Sequence, residues 1–171
     1  EQHKTFDVAV DGENRVYLNS VQNIDWDYGM QPIRDVRYIV ADSLEETELE
    51  KACAGDIYGF VVKNIRYDPD KVFDLLYSYL PDIVDTYATG EGICYDYASL
   101  FAAMLRSIGV PAKLVKGYAS YAPDVYHAWN EVYIDNEWIV VDITRDAVRR
   151  FSGAADGMEK APEDYSTVYE Y

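Results

Sequence analysis

Histidine and cysteine are the scarce residues of this chain, with two of each among 171 positions. His3, Cys53, Cys94 and His127 lie too far apart to supply the closely paired ligands of a zinc site, so neither a metal nor another cofactor is expected. Cations are also few: 15 Lys and Arg stand against 31 acids, a formal charge of −16. Phosphate binding rests on clustered Lys and Arg, which argues against nucleic acid as a partner and disfavours anionic membranes. No window approaches the roughly 18 uninterrupted apolar residues of a spanning helix, so membrane insertion is not expected. Repeats and low-complexity stretches are missing. The segment "NIDWDYG" has the look of a calcium loop, but its glycine falls one place late and Arg34 holds the twelfth position, where a bidentate glutamate is required.

What is present is a folded chain: apolar residues make up 49% and aromatics 15%, enough for a real core in one domain. Residues 1–171 are read as a single domain, with a β-rich extension over 1–42, a core over 43–145 and an irregular closing segment over 146–171. "TFDVAV" and "VRYIV" have β-type composition. A helix is expected from about Ser43 to Asn64, with Ser43 and Glu46 as a capping box and with Gly55 and Gly59 as points where it could kink. "DPDKVFDLLYSYLP" reads as a short helix with Val72, Phe73, Leu76 and Leu80 on one face, and "DTYATGEG" as a loop. A helix headed by Cys94 places Ala98, Phe101, Met104, Leu105 and Ile108 on one side and stops at Gly109 and Pro111. "AKLVKGYA", "YHAWNEVYI" and "EWIVVDIT" then read as three strands, the last two joined by a turn at Asp135 and Asn136, with one late strand at "YSTVYEY". The fold class is α+β, a Cys-bearing helix packed on an antiparallel sheet.

Cys53 falls within a helical apolar pattern and reads as a small buried residue. Two cysteines also permit one disulfide, the ordinary outcome in a secreted protein. Cys94 differs, because it follows "GEGI" at a helix N-terminus, where the dipole and unpaired N–H groups favour a thiolate and an oxyanion. Packing at the start of a core helix is the plainer alternative. A nucleophilic thiol needs an imidazole and a group to orient it. His127 opens the strand "HAWNEVYI", and Asp142 interrupts an apolar run where an acid is costly without a partner. With a two-residue turn, Ile134 faces Glu137 and Trp129 faces Asp142, so His127 and Asp142 become diagonal neighbours on one face. Trp129 shares that face as a wall or a shield. Asn130 points the other way and reads as structural.

The wording "VVKNIRYD", "GEGICYDYASLFAAMLRSIGVPAKLVKGY" and "HAWNEVYIDNEWIVVDIT" resembles the three blocks of the transglutaminase-like superfamily, over roughly residues 55 to 145. That resemblance implies a papain-like core with Cys94 as nucleophile, His127 as general base and acid, and Asp142 as orienting carboxylate. It implies acyl transfer from a protein or peptide carboxamide, by transamidation, deamidation or hydrolysis. Family members often carry a further oxyanion donor upstream of the cysteine, for which Tyr87 is a trial assignment. A non-catalytic module that binds protein or glycan on the same fold is the alternative. Glu1 in place of Met fits a mature or trimmed form, and 17 tyrosines with few lysines fit an exported bacterial protein of the envelope or exterior.

Overall fold

A computed structural model describes residues 12–45, 49–73, 78–150 and 157–171. The architecture is α+β, as expected. Its sheet has five antiparallel strands, β3 (Ala112–Ala119), β4 (Ala122–Ile134), β5 (Glu137–Val141), β6 (Glu159–Lys160) and β7 (Tyr165–Glu170), in the order β6-β5-β4-β3-β7. A separate parallel pair joins β1 (Arg66–Tyr67) to β2 (Glu91–Gly92). No helix among the described residues is long and apolar enough to cross a membrane.

The helix α5 (Cys94–Ser107) is the centre of the molecule, and every residue from Tyr95 to Ser107 is buried. One side lies on β3 and β4, while α1 (Gln31–Ile39), α2 (Leu49–Asn64), α4 (Ile83–Thr89) and α6 (Ile143–Arg149) cover the rest. A helix enclosed on all sides needs small residues where neighbours come close, which Ala98, Ser99, Ala102 and Ala103 provide. Arg106 lies at its far end, 2% exposed, and donates to the carbonyls of Ala112, Asn19 and Tyr171 at 2.8, 2.5 and 2.9 Å. One guanidinium therefore ties the start of β3 and two segments distant in sequence to the core helix.

Several sequence expectations are corrected. "VRYIV" is helical within α1, because Ile33, Val36 and Val40 bury one face at helical spacing and Pro32 suits the first turn. "TFDVAV" lies outside the described residues, as does Glu46 of the suggested capping box. The hydroxyl of Ser43 instead donates to Asp56 from a 3-10 turn, Ala41–Glu45, and α2 begins at Leu49 and runs unbroken past both glycines. The short helix α3 (Pro69–Phe73) leaves Val72 and Phe73 exposed; Leu76 lies outside the described residues. "DTYATGEG" is largely α4: the Asp82 carboxylate accepts from the Val84 and Asp85 N–H groups, and Gly90 closes the helix in the left-handed region. The closing segment is more regular than expected, with α6 at its head and the late strand present as β7.

Candidate active site

The β4–β5 hairpin sets the geometry. Asp135 and Asn136 both have positive φ, 54° and 67°, the signature of a two-residue turn whose twist matches the strands. Ile134 pairs with Glu137 and Asn130 with Val141, the register expected from the sequence. Asp142 lies one residue past the end of β5, not inside a strand, and caps α6 by accepting from the Arg145 N–H at 3.1 Å. That junction solves the burial problem, because a fully buried carboxylate meets donors from a helix and from neighbouring strands.

Cys94 enters from the opposite side as the first residue of α5, partly exposed and held by a tight turn. A Cβ on Gly92 would come 2.8 Å from the Asp96 Cβ, so only glycine admits this close approach. Asp96 is fully buried and accepts from the Ile93 N–H at 2.9 Å, from the Lys71 ammonium at 2.9 Å and from the Tyr79 hydroxyl. A carboxylate at this end also complements the helix dipole. The two cysteines are free; Cys53 is buried, and burial pushes its thiol up to about 11.

His127 bridges the two halves. Its Nε2 lies 2.9 Å from Asp142 Oδ2 and 3.0 Å from the Tyr121 oxygen, whose own proton is donated to Asp142 Oδ2 at 2.7 Å. Facing two acceptors, Nε2 carries a proton in either charge state of the ring, which leaves Nδ1 as the nitrogen that gains or loses one. Burial alone would lower the basicity of His127. The hydrogen bonds and charges of Asp142 and Cys94 outweigh it and lift the imidazole from 6.5 to about 10. Burial would likewise raise the carboxyl of Asp142, yet His127, Tyr121 and the Arg145 N–H hold it below the usual carboxylate range. Trp129 stacks on His127 at 6.2 Å and is 1% exposed, so it is an inner wall under the imidazole, not a cover over the cleft. Asn130 points to the other face, where its amide donates to the carbonyls of Ala98 on α5 and Lys113 on β3 at 2.9 and 3.0 Å.

Other residues become visible only in three dimensions. Tyr87 stacks on Phe60 and donates to Asp35 at 2.7 Å, away from the cleft, so the trial assignment as oxyanion donor is corrected. Tyr67 instead lines the cleft and feels the charge of Cys94. The Lys116 ammonium lies 3.6 Å above the ring of Tyr95, the neighbour of Cys94 in the chain; burial lowers its basicity, partly offset by Tyr171 and Cys94. The cleft, about 560 Å³, opens above Cys94 and His127 between Tyr67, Val125, Tyr126, Arg145 and Val148. No spacing rule points to these residues, because the side chains converge from β1, β4 and α6.

A cysteine at the head of a buried helix, faced across a cleft by a strand histidine and a carboxylate, is the arrangement of papain-like cysteine enzymes. The model of the transglutaminase-like superfamily matches residues 37–143, and the chain belongs to that superfamily. It is 34% identical over 119 residues to human (Homo sapiens) kyphoscoliosis peptidase, covering 62% of this chain and 17% of that protein. Among solved structures, a proposed cysteine protease from Cytophaga hutchinsonii aligns with a TM-score of 0.67 at 20% identity, over 98% of this chain and 50% of that one. The periplasmic domain of TgpA from Pseudomonas aeruginosa aligns with a TM-score of 0.54 at 20% identity, over 83% of this chain and 50% of that one. At such identities the two structures share the fold with this chain, which spans only a part of each relative.

Proposed function

We propose that the chain is a cysteine-dependent acyl-transfer domain acting on carboxamides of proteins or peptides outside the cytoplasm. The observation that carries this reading is the position of His127, in one cleft with Cys94 and hydrogen-bonded to Asp142 at 2.9 Å. In the first half-reaction the Cys94 sulfur adds to the carbonyl carbon of the acyl donor. The backbone N–H groups at the head of α5 receive the oxyanion. As the tetrahedral adduct collapses, the C–N bond breaks and the His127 imidazolium gives its proton to the departing amine or ammonia, leaving a thioester. An incoming amine or water then attacks the thioester, its proton returns to His127, and the C–S bond breaks to free Cys94. Asp142 keeps the ring proton on Nε2 throughout and balances the imidazolium. Superfamily membership supports the chemistry, and a periplasmic domain among the structural neighbours supports the location.

Incubation with a glutamine peptide and a labelled primary amine, read by mass spectrometry, tests this function. Amine incorporation, a one-dalton deamidation or chain cleavage is expected with the wild type and none with Cys94→Ala. Equal product from both proteins would refute it.

A further inference from the structure

The carboxylate of Asp142 receives more hydrogen bonds than orienting a histidine requires. Its Oδ1 accepts from the Arg145 N–H at 3.1 Å; its Oδ2 accepts from His127 Nε2 at 2.9 Å, from the Tyr121 hydroxyl at 2.7 Å and from the Tyr165 hydroxyl at 3.1 Å. Three donors converge on Oδ2 and one on Oδ1, more than a single histidine supplies. Each of these donors binds the ionised carboxylate more strongly than the neutral acid, so the arrangement favours the anion. The two phenols come from places that a catalytic triad does not need. Tyr121 sits where β3 turns into β4, lines the cleft, and lies under the Arg145 guanidinium at 4.7 Å. Tyr165 opens β7, beyond the residues that the superfamily matches, and packs its ring against Trp129 at 5.0 Å.

We infer that Tyr121 and Tyr165 form a two-hydroxyl clamp on Asp142, making the closing strand β7 part of the catalytic apparatus through a positioning residue. The role in turnover rests on the acyl-transfer reading above, whereas the clamp itself does not. Each phenol supplies a charge-assisted hydrogen bond to a carboxylate that is itself fully buried, which strengthens the bond and fixes the carboxylate plane. Tyr121 does a second task, since its oxygen also faces His127 Nε2 and covers the His127–Asp142 bond from the cleft. The other charges that Asp142 meets are the Arg145 guanidinium beside both phenols, Cys94 beyond His127, and Asp146 one turn along α6, which is paired with Lys160 at 2.7 Å.

The test uses Tyr165→Phe, Tyr121→Phe and the double variant, with folding checked by thermal melting; Tyr165→Phe keeps the ring against Trp129 and does not touch the cleft. The readout independent of turnover is the ¹³C carboxyl resonance of Asp142, assigned with Asp142→Asn. In the wild type it is expected to stay that of a carboxylate down to acid unfolding, and in each Phe variant to titrate at higher pH, most of all in the double variant. In turnover, Tyr165→Phe is expected to lower kcat about tenfold with little change in KM, the size of one hydrogen bond to a charged group, and to move the acid limb of the pH–rate profile upward. A folded Tyr165→Phe protein whose Asp142 resonance titrates as in the wild type would overturn the clamp. Absence of turnover in the wild type would instead refute the acyl-transfer reading and leave the resonance test standing.

Discussion

Replacing Asp142 by Asn probes the pair at the heart of the site. Asparagine keeps the shape but offers one oxygen where four donors now converge, and it removes the charge that supports the imidazolium. The rise of His127 from 6.5 to about 10 corresponds to at most roughly 5 kcal/mol of preference for the charged ring, shared between Asp142 and Cys94. Removing one member of a buried ion pair costs about 3–5 kcal/mol. The folded-state pKa of His127 lies above the unfolded value, so its stabilisation is complete below about 6.5 and disappears as pH rises through about 10. Asp142 has the opposite sign: its carboxyl is held down, so its contribution is present above the unfolded carboxylate value and lost as pH falls through the folded one. The attraction between the two is one quantity, counted once. Urea unfolding at pH 6 should therefore show Asp142→Asn less stable than the wild type by about 3–5 kcal/mol, and the gap should narrow above pH 10. Proton NMR of the imidazole C–H groups reads the same pair directly, since His3 and His127 are the only two histidines and His127→Gln assigns them. The expected midpoint for His127 is near 10 in the wild type and below neutrality in Asp142→Asn, with kcat reduced about 10³- to 10⁴-fold by loss of the correct tautomer. A wild-type His127 titrating at the ordinary 6.5, or a stability gap independent of pH, would refute this account.

Asn130→Ala strips the link between α5 and β3 and leaves two buried carbonyls without that donor, so a loss of about 2–4 kcal/mol is expected from the urea midpoint. A change under 1 kcal/mol would show that water or a neighbour replaces the amide. Gly117→Ala places a Cβ 2.0 Å from the Ser166 carbonyl oxygen and 2.9 Å from the Trp129 ring, so β7 must move and carry Tyr165 away from Asp142. Faster amide hydrogen exchange over 165–170 together with reduced turnover is the expected pair of results; wild-type exchange with the alanine in place would contradict it. Cys53 is buried within α2 and its thiol is pushed up to about 11, so iodoacetamide should modify Cys94 alone in the native protein, as peptide mass spectrometry will report. Labelling of Cys53 at a comparable rate would count against the packing described for α2.

The parts of the site that depend on short-range order were legible in the chain. A two-residue turn fixes a register, a register fixes which side chains share a face, and "YIDNEW" carries that information locally; the 134–137 pairing follows from it. The same holds for the limits of α5, which are marked by a glycine-rich entry and by Gly109 and Pro111 at the exit. Composition misled where tertiary packing decides: "VRYIV" has β-branched content, yet its burial against α5 follows a helical spacing. Asp142 shows both effects. Its cost in an apolar run correctly marked a partnered acid, but the expectation of a strand missed that the same residue caps a helix, because capping geometry depends on where the next element turns. Tyr121 and Tyr165 could not have been found in this way. They stand 44 residues apart, and nothing local distinguishes them from the other 15 tyrosines. They meet only because β7 returns to the edge of β3, and β3 in turn hands its last residues to the turn above His127. Cys94, His127 and Asp142, the proposed nucleophile, base and orienting acid, lie on contiguous motifs that local rules can reach. The groups that hold the acid in its working state come from chain reversals whose register is set by the whole sheet.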